Sequence, residues 1–291
     1  MKYRRRRSIV LMSFFTFIFT AVKLTHMVVS EHIQKTIETS YVVAGNKDKP
    51  IQKYVENNVK DLVSENKEPS SDDDKAATYK KYAISENIQK INPYSGEIPG
   101  SKTAYLTFDD GPSHDITPAV LDILKKENVK ATFFVIGTMA EKNPEILKRI
   151  NKEGHTIAKH TFSHDYNYLY SDPINFLEDY KKADSIISSI IGDYNKSLIR
   201  FPGGSFGRQA YKKVAEEVGY HYVDWNCLNG DAEGKNYSPK QLVENVKESS
   251  MNRQRLVILM HDSSGKENTA KALPGIIHYL KSSKYELKTL N

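Results

Sequence analysis

The sequence predicts an α/β protein whose parallel strands and helices alternate to form a (β/α) barrel. From residue 101 onward, short apolar segments typical of strands alternate with longer segments typical of helices. This alternation indicates a parallel sheet covered by helices. Polar side chains also lie at or just beyond the ends of several predicted strands. A closed barrel brings such ends together on one face, whereas an open sheet would leave its edge strands far apart.

The predicted strands are short runs of apolar and β-branched residues. Their C-terminal ends are marked by glycine, as at Gly137, or by polar residues, as at Asp109, His160 and His261. The predicted strands span residues 103–108, 131–136, 156–159, 198–201, 221–226, 256–260 and 286–290.

Most predicted helices begin with a polar capping residue followed by proline at the first helical position. These pairs are Thr117–Pro118, Asn143–Pro144, Asp172–Pro173 and Ser238–Pro239. Glycine ends three of the helices, at Gly154, Gly192 and Gly219. The predicted helices span residues 118–128, 144–153, 173–191, 208–218, 239–249 and 269–282.

The first 30 residues have the pattern of a membrane segment. Four consecutive arginines at 4–7 precede an uncharged run of apolar and small residues at 9–22. The run is short for a full span, but it reaches a spanning length if it extends to Val29 through Lys23 and His26. No clear cleavage site follows, so we favour an uncleaved anchor, with a cleaved export signal as the alternative. In either case the arginines stay inside and the rest of the chain is outside.

The remaining residues divide into a spacer and a folded domain. Residues 31–100 are rich in charged and polar side chains, which predicts a partly disordered spacer. The strand and helix pattern occupies residues 101–291. The 291-residue chain has a net charge of +6, and the first 30 residues contain six cationic side chains and no acidic one. The remainder is therefore not a basic nucleic-acid-binding protein. The single cysteine, Cys227, is predicted to be a buried thiol.

Two adjacent acids and two histidines predict a metal site. Asp109 and Asp110 end the first strand, and His160 and His164 follow the third. One carboxylate and two imidazoles can hold a divalent ion and leave a position for water. The second carboxylate is then left to act as a base.

At these residues the chain resembles the polysaccharide deacetylases with a NodB-homology domain, carbohydrate esterase family 4. The resemblance covers residues 101–291 and rests on five motifs in order. These are TFDDGP at 107–112, HTFSH at 160–164, RFPGG at 200–204, Asp231 within a loop, and LMH at 259–261. It implies a distorted (β/α) barrel of seven or eight strands.

The resemblance also implies a role for each matching residue. Asp110, His160 and His164 would bind the metal, which is Zn²⁺ in our first interpretation, with Co²⁺ or another divalent transition metal as alternatives. Asp109 would be the general base and His261 the general acid.

Four further residues of the motifs receive supporting roles. Arg200 would hold Asp109 through a bidentate guanidinium contact and keep it ionised, and Asp231 would orient His261. The Gly203 N–H would stabilise the oxyanion, and Leu259 would line the pocket for the acetyl methyl group.

Three residues depart from the family pattern. Lys159 replaces the usual asparagine and is expected to place a cation beside the metal. Gly203 and Ala232 stand where the family has an aromatic residue and a tryptophan. His114 and His155 are predicted to be ordinary exposed or structural histidines.

The resemblance implies a metal-dependent hydrolase that removes acetyl groups from an N-acetylated amino-sugar polymer. Peptidoglycan N-acetylglucosamine is the first choice of substrate, because an anchored enzyme reaches the surrounding wall. A chitooligosaccharide or another exopolysaccharide comes second, and O-deacetylation of xylan third. Two other classes remain open, an inactive carbohydrate-binding wall protein on the same fold and a metal-dependent amidase acting on another C–N bond. We expect a membrane-attached or secreted monomer.

Overall fold

The computed structural model describes residues 79–84, 93–94 and 100–291. The predicted membrane segment at 1–30 and most of the predicted spacer at 31–100 lie outside these residues and stay predictions. Within the described ranges, no helix is both long and apolar enough to cross a membrane.

The strands form one sheet in which every pair is parallel. They are β1 (Lys102–Asp109), β2 (Thr132–Val135), β3 (Thr156–Lys159), β4 (Leu198–Ile199), β5 (His221–Tyr222), β6 (Cys227–Leu228), β7 (Arg255–His261) and β8 (Tyr285–Lys288). Their order is β5-β4-β3-β2-β1-β7-β6, and β8 pairs with the first half of β1. This parallel arrangement confirms the predicted fold class.

A short connection shows that the sheet curls into a barrel. β5 and β6 lie at opposite ends of the strand order, yet only residues 223–226 separate them in the chain. Such a link spans at most about 18 Å, whereas seven flat strands would place the two ends about 29 Å apart. The stretch from 221 to 228 pairs first with β4 and then with β7, and so closes a distorted barrel. The single predicted strand at 221–226 is therefore two short strands with different partners.

The inside of the barrel is filled by one residue from each of several strands. Tyr105, Phe134, Ala158, Leu198 and Val257 form a buried cluster, together with Val223, Leu290 and the half-buried Trp225. Because side chains alternate along a strand, the residues two or four positions further along face the same interior. This alternation directs the side chains at 109, 160, 200 and 261 toward the C-terminal mouth of the barrel.

Helices cover the outside of the sheet. They are α1 (Ile116–Lys126), α2 (Gly137–Lys142), α3 (Pro144–Lys152), α4 (Tyr166–Leu169), α5 (Pro173–Ile191), α6 (Gln209–Glu217), α7 (Pro239–Ser250) and α8 (Glu267–Ser282). The outward residues of β1 and β7, such as Leu106, Phe108 and Ile258, join the apolar faces of α1, α7 and α8 in the largest core cluster. Cys227 is part of this cluster and is buried, as predicted.

The predicted cap of α1 is wrong. Asp115 is the capping residue, and its side chain accepts a hydrogen bond from the Ile116 N–H. The Thr117 hydroxyl instead donates to Asp262 Oδ2 at 2.6 Å and accepts from the Ser113 N–H at 2.7 Å. Thr117 therefore holds the buried Asp262 beneath the barrel mouth.

We expect Thr117→Val to lower the free energy of unfolding by about 2 kcal/mol, because it leaves a buried carboxyl and a buried N–H without their partner. Urea unfolding measures the change. Thr103→Val is the matched control, since in the described part of the chain the buried Thr103 hydroxyl has no hydrogen-bond partner. Equal losses of stability in the two variants would contradict this role of Thr117.

Candidate active site

The predicted base and acid lie side by side on neighbouring strands. Asp109 and His261 occupy facing register positions at the ends of β1 and β7. Both side chains are buried. The barrel therefore brings residues that are far apart in the chain to one point at its mouth.

Asp110, His160 and His164 form a cluster that can hold a metal ion. Their potential ligand atoms all lie within 4.8 Å of one another. Asp110 Oδ1 is 3.5 Å from His160 Nε2 and 3.3 Å from His164 Nε2. Two ligands about 2.1 Å from a tetrahedral Zn²⁺ ion are about 3.4 Å apart, so these separations fit such an ion.

The hydrogen bonds of His160 leave a lone pair facing the carboxylate. His160 Nδ1 lies 2.8 Å from the Arg200 carbonyl oxygen, which can only accept, so Nδ1 carries the proton. Burial lowers the pKa of His160 to about 3, which keeps the imidazole neutral. Its Nε2 lone pair therefore points toward Asp110 Oδ1, a buried atom with no hydrogen-bond partner among the described residues. Two facing acceptors with no proton between them are the arrangement that a cation satisfies.

Left-handed backbone conformations shape the ligand cluster. Asp110 has φ 72°, Thr161 has φ 71° and His164 has φ 57°. Such values are uncommon outside glycine and are typical of functional sites. The turn at Asp110 lets two successive carboxylates approach His160, with Asp109 Oδ2 at 3.8 Å and Asp110 Oδ1 at 3.5 Å from its Nε2.

The two histidines meet through a loop. Four-residue spacing would bring them together in a helical turn, but residues 160–164 form none. Asp179 on α5 fixes this loop by accepting hydrogen bonds from the backbone N–H groups of Phe162 and Ser163. Asp179 was not predicted from the sequence, because nothing in a helical aspartate marks it as a loop anchor.

Arg200 holds Asp109 through one of its nitrogens. Nη1 donates to Asp109 Oδ1 and to the Thr107 hydroxyl, both at 2.8 Å, and Nε donates to the Val223 carbonyl at 2.9 Å. The predicted bidentate contact with Asp109 is therefore wrong, because the N–H groups of the guanidinium donate to three different partners. This arrangement leaves Asp109 Oδ2 facing the ligand cluster.

The environment of Asp109 favours proton acceptance. Burial raises the pKa of Asp109, and the neighbouring charges of Arg200 and His261 offset only part of this effect. A carboxylate with a raised pKa is a stronger base than an exposed one. Arg200 thus orients Asp109, and its lowering of the pKa does not outweigh the effect of burial.

Asp231 orients His261 with two hydrogen bonds. Its Oδ1 lies 2.7 Å from His261 Nδ1, and its Oδ2 accepts from the His261 backbone N–H at 2.9 Å. The Thr269 hydroxyl also donates to Oδ2, at 2.7 Å. Burial alone would lower the pKa of His261, but the hydrogen bond and charge of Asp231, with Asp109 and Asp110, outweigh it and raise this pKa. These contacts therefore favour the protonated form of His261, which can donate a proton.

The sequence of this chain is similar to those of known polysaccharide deacetylases. The family model described as polysaccharide deacetylase matches residues 96–223. A peptidoglycan-N-acetylglucosamine deacetylase of Bacillus cereus is 37% identical over 199 residues, which cover 68% of this chain and 70% of the relative. The chain belongs to the polysaccharide deacetylase family.

Other relatives extend this similarity. The peptidoglycan-N-acetylglucosamine deacetylase PgdA of Listeria monocytogenes is 32% identical over 279 residues, which cover 90% of this chain but only 57% of that protein. The crystal structure of the catalytic domain of the peptidoglycan N-acetylglucosamine deacetylase from Eubacterium rectale is also similar. It has 37% identity and a TM-score of 0.61, and the match covers 67% of this chain and 91% of that domain.

The two residues predicted to contact the substrate differ in their exposure. Gly203 is exposed with φ 71°, in a turn closed by the Gly204 N–H and the Phe201 carbonyl at 2.8 Å. Leu259 is buried and precedes His261 by two positions, so both side chains face the barrel interior. Their roles toward the substrate remain predictions.

The prediction that Lys159 places a cation beside the ligand cluster is wrong. Lys159 is fully buried, and its Nζ lies 4.3 Å from the centre of the Tyr220 ring and 3.8 Å from Asp184 Oδ1. Because His160 directly follows Lys159 at the end of β3, the two side chains point to opposite faces. Burial lowers the pKa of Lys159 to about 7.

Two further histidines, His114 and His155, and one more acidic residue, Asp262, lie outside the ligand cluster. His114 is exposed, and His155 is buried and accepts a hydrogen bond from the Ala131 N–H. Asp262 was not predicted, although it directly follows His261, the predicted general acid. It lies so close beneath Gly111 that a Cβ there would be 2.3 Å from Asp262 Oδ2, so only glycine fits this turn.

We expect Asp231→Asn to move the alkaline limb of the pH profile of kcat/KM to lower pH. Without the Asp231 charge the pKa of His261 falls, so the proton needed for the leaving group is lost at lower pH. We also expect kcat at pH 8 to fall by about tenfold or more. Asp193→Asn, at an exposed position, is the control. An unchanged alkaline limb in Asp231→Asn would show that His261 is not the acid.

Proposed function

We propose that this chain is a metal-dependent enzyme that removes N-acetyl groups from an amino-sugar polymer of the cell envelope, with peptidoglycan N-acetylglucosamine as the substrate. The observation that carries the proposal is the three-ligand cluster flanked by a buried Asp109–Arg200 pair and an Asp231–His261 pair. The similarity of the chain to peptidoglycan deacetylases of three bacterial genera supports this choice of polymer. The donor set of one carboxylate oxygen and two imidazole nitrogens suits Zn²⁺, and Co²⁺ is an alternative.

Each residue then has a defined task in the hydrolysis. When bound, the ion supplies Lewis-acid activation of the acetamide group. Asp109 Oδ2 takes the proton from the attacking water, while Arg200 holds Oδ1. The Gly203 N–H stabilises the negative charge that develops on the carbonyl oxygen. His261 donates a proton to the nitrogen as the C–N bond breaks, and acetate and a free amine are released.

The N-terminal sequence suggests where the reaction takes place. Arg4 to Arg7 and the apolar run after them would hold the chain in the membrane, and residues 31–100 would carry the catalytic domain outward to the wall. We propose a single-pass membrane protein with its catalytic domain outside.

Mass spectrometry of treated glycans tests the proposal. The full chain, loaded with Zn²⁺, is incubated with peptidoglycan fragments and, separately, with N-acetylated chitooligomers. We expect peptidoglycan fragments to lose the mass of one acetyl group per reaction, with release of an equal amount of acetate. Faster deacetylation of chitooligomers would instead favour a chitooligosaccharide substrate. No acetate from either glycan would reject the proposal in favour of an inactive wall-binding protein.

A further inference from the structure

Tyr166 lies beside the ligand cluster although no motif of the sequence contains it. It begins α4, two residues after His164, and Asp165 caps this short helix by accepting from the N–H groups of Asn167 and Tyr168. The rings of Tyr166 and His164 are 5.4 Å apart and nearly perpendicular, at 78°. The helix start thus places an aromatic ring directly against a metal ligand.

The same ring covers Gly203. A Cβ atom at Gly203 would lie 3.0 Å from Tyr166 Cε1 and 3.1 Å from its hydroxyl oxygen. Tyr166 therefore occupies the space next to the turn where the side chain of residue 203 would begin. The ring therefore borders the Gly203 turn, whose N–H the proposed reaction uses.

Neighbouring contacts hold Tyr166 in place while leaving it open to solvent. The Tyr170 ring lies 5.9 Å from the Tyr166 ring, and its hydroxyl donates to the Pro202 carbonyl at 2.7 Å. The Arg208 guanidinium lies 3.6 Å from the centre of the Tyr170 ring. Tyr166 nevertheless keeps 44% of its surface exposed. A rigid, half-open ring beside a reaction centre loses little entropy when a ligand packs on it.

We infer that the Tyr166 ring is a stacking platform for the pyranose ring that carries the acetamide group, and this inference rests on the proposed function. The C–H groups on one face of a pyranose carry partial positive charge and pack against the negative face of an aromatic ring. A sugar stacked on this ring would lie next to both the ligand cluster and the Gly203 turn. The position compensates in this chain for the aromatic side chain that Gly203 lacks.

Two other exposed aromatic residues in the described ranges are less suited to this task. Tyr168 is 40% exposed on the same helix, but it makes no ring contact with a ligand residue. Phe206 is 61% exposed and packs over Gly204 against Trp225, with ring centres 5.7 Å apart. Of the three, Tyr166 alone contacts both His164 and the Gly203 turn.

Steady-state kinetics on N-acetylated glycan oligomers test the inference. We expect Tyr166→Ala to raise KM by about 3- to 10-fold with little change in kcat. Tyr166→Phe keeps the ring and should retain a KM close to that of the wild type. Tyr168→Ala is the matched control at a similar exposure on the same helix, and its KM should not change. The zinc content of each variant is measured in parallel.

Three results would overturn the inference: a wild-type KM in Tyr166→Ala, an equal defect in Tyr166→Phe, or loss of zinc from Tyr166→Ala. Calorimetric binding of the same oligomer separates this question from the proposed function. A wild-type protein that binds the oligomer but releases no acetate contradicts the proposed function. A Tyr166→Ala protein that binds it as tightly as the wild type contradicts the inference.

Discussion

Asp109→Asn should retain its zinc and lose turnover. Asparagine keeps the shape of the side chain and can still accept the hydrogen bond from Arg200 Nη1, which lies 2.8 Å from Asp109 Oδ1. It cannot take a proton from water at neutral pH. We expect kcat for acetate release to fall by about 10³- to 10⁴-fold, the upper range for removal of a general base. Acetate release by the purified variant, with its zinc content, measures the effect.

The control for this variant is Asp122→Asn, because Asp122 is an exposed carboxylate that pairs with Arg149 on the surface. Its kcat should equal that of the wild type. Circular dichroism checks that Asp109→Asn is folded, since the buried Arg200 charge loses its partner in this variant. A folded Asp109→Asn protein with wild-type kcat would mean that another group acts as the base.

His164→Ala should lose both the metal and the activity. His164 contributes one of the three ligand atoms and is partly exposed, so its removal disturbs the core less than removal of the buried His160 would. Loss of one ligand of three weakens zinc binding by several orders of magnitude, because the remaining two no longer enclose the ion. We expect about 10³-fold or greater loss of affinity, measured by competition with a chromogenic chelator, and acetate release near the blank.

His114→Ala provides the comparison, since His114 is an exposed histidine four positions after Asp110 in the chain and lies outside the cluster. Its zinc affinity should match that of the wild type. Equal affinities in His164→Ala and wild type would place the ion elsewhere.

Much of the fold could be predicted because hydrophobic periodicity is a local property. The predicted strand at 156–159 and helix at 173–191 coincide with β3 and α5. Two short helices were missed for physical reasons. α2 begins at Gly137 without a side-chain cap, and α4 has only four residues, too few to show a period. The prediction of a single strand at 221–226 was wrong in detail, because the chain forms two short strands there. The change of partner from β4 to β7 depends on barrel closure, which local sequence does not encode.

Motif spacing located the candidate site residues along the chain, whereas side-chain direction needed the structure. Alternation along β3 sends Lys159 away from the ligand cluster and His160 into it, yet both follow the same apolar run. Arg200 divides its nitrogens among Asp109, Thr107 and Val223, which spacing alone does not reveal. Tyr166 was missed because its role depends on the empty space that Gly203 leaves in a distant turn.

We expect deacetylation to require one divalent ion held by Asp110, His160 and His164. The most direct test strips the full-length protein with a chelator, removes the chelator, and measures acetate release from peptidoglycan fragments as Zn²⁺ is added back. We predict that release falls to the blank after stripping and recovers fully at one Zn²⁺ per chain. Undiminished acetate release from the metal-free protein would show that the reaction does not require this ion.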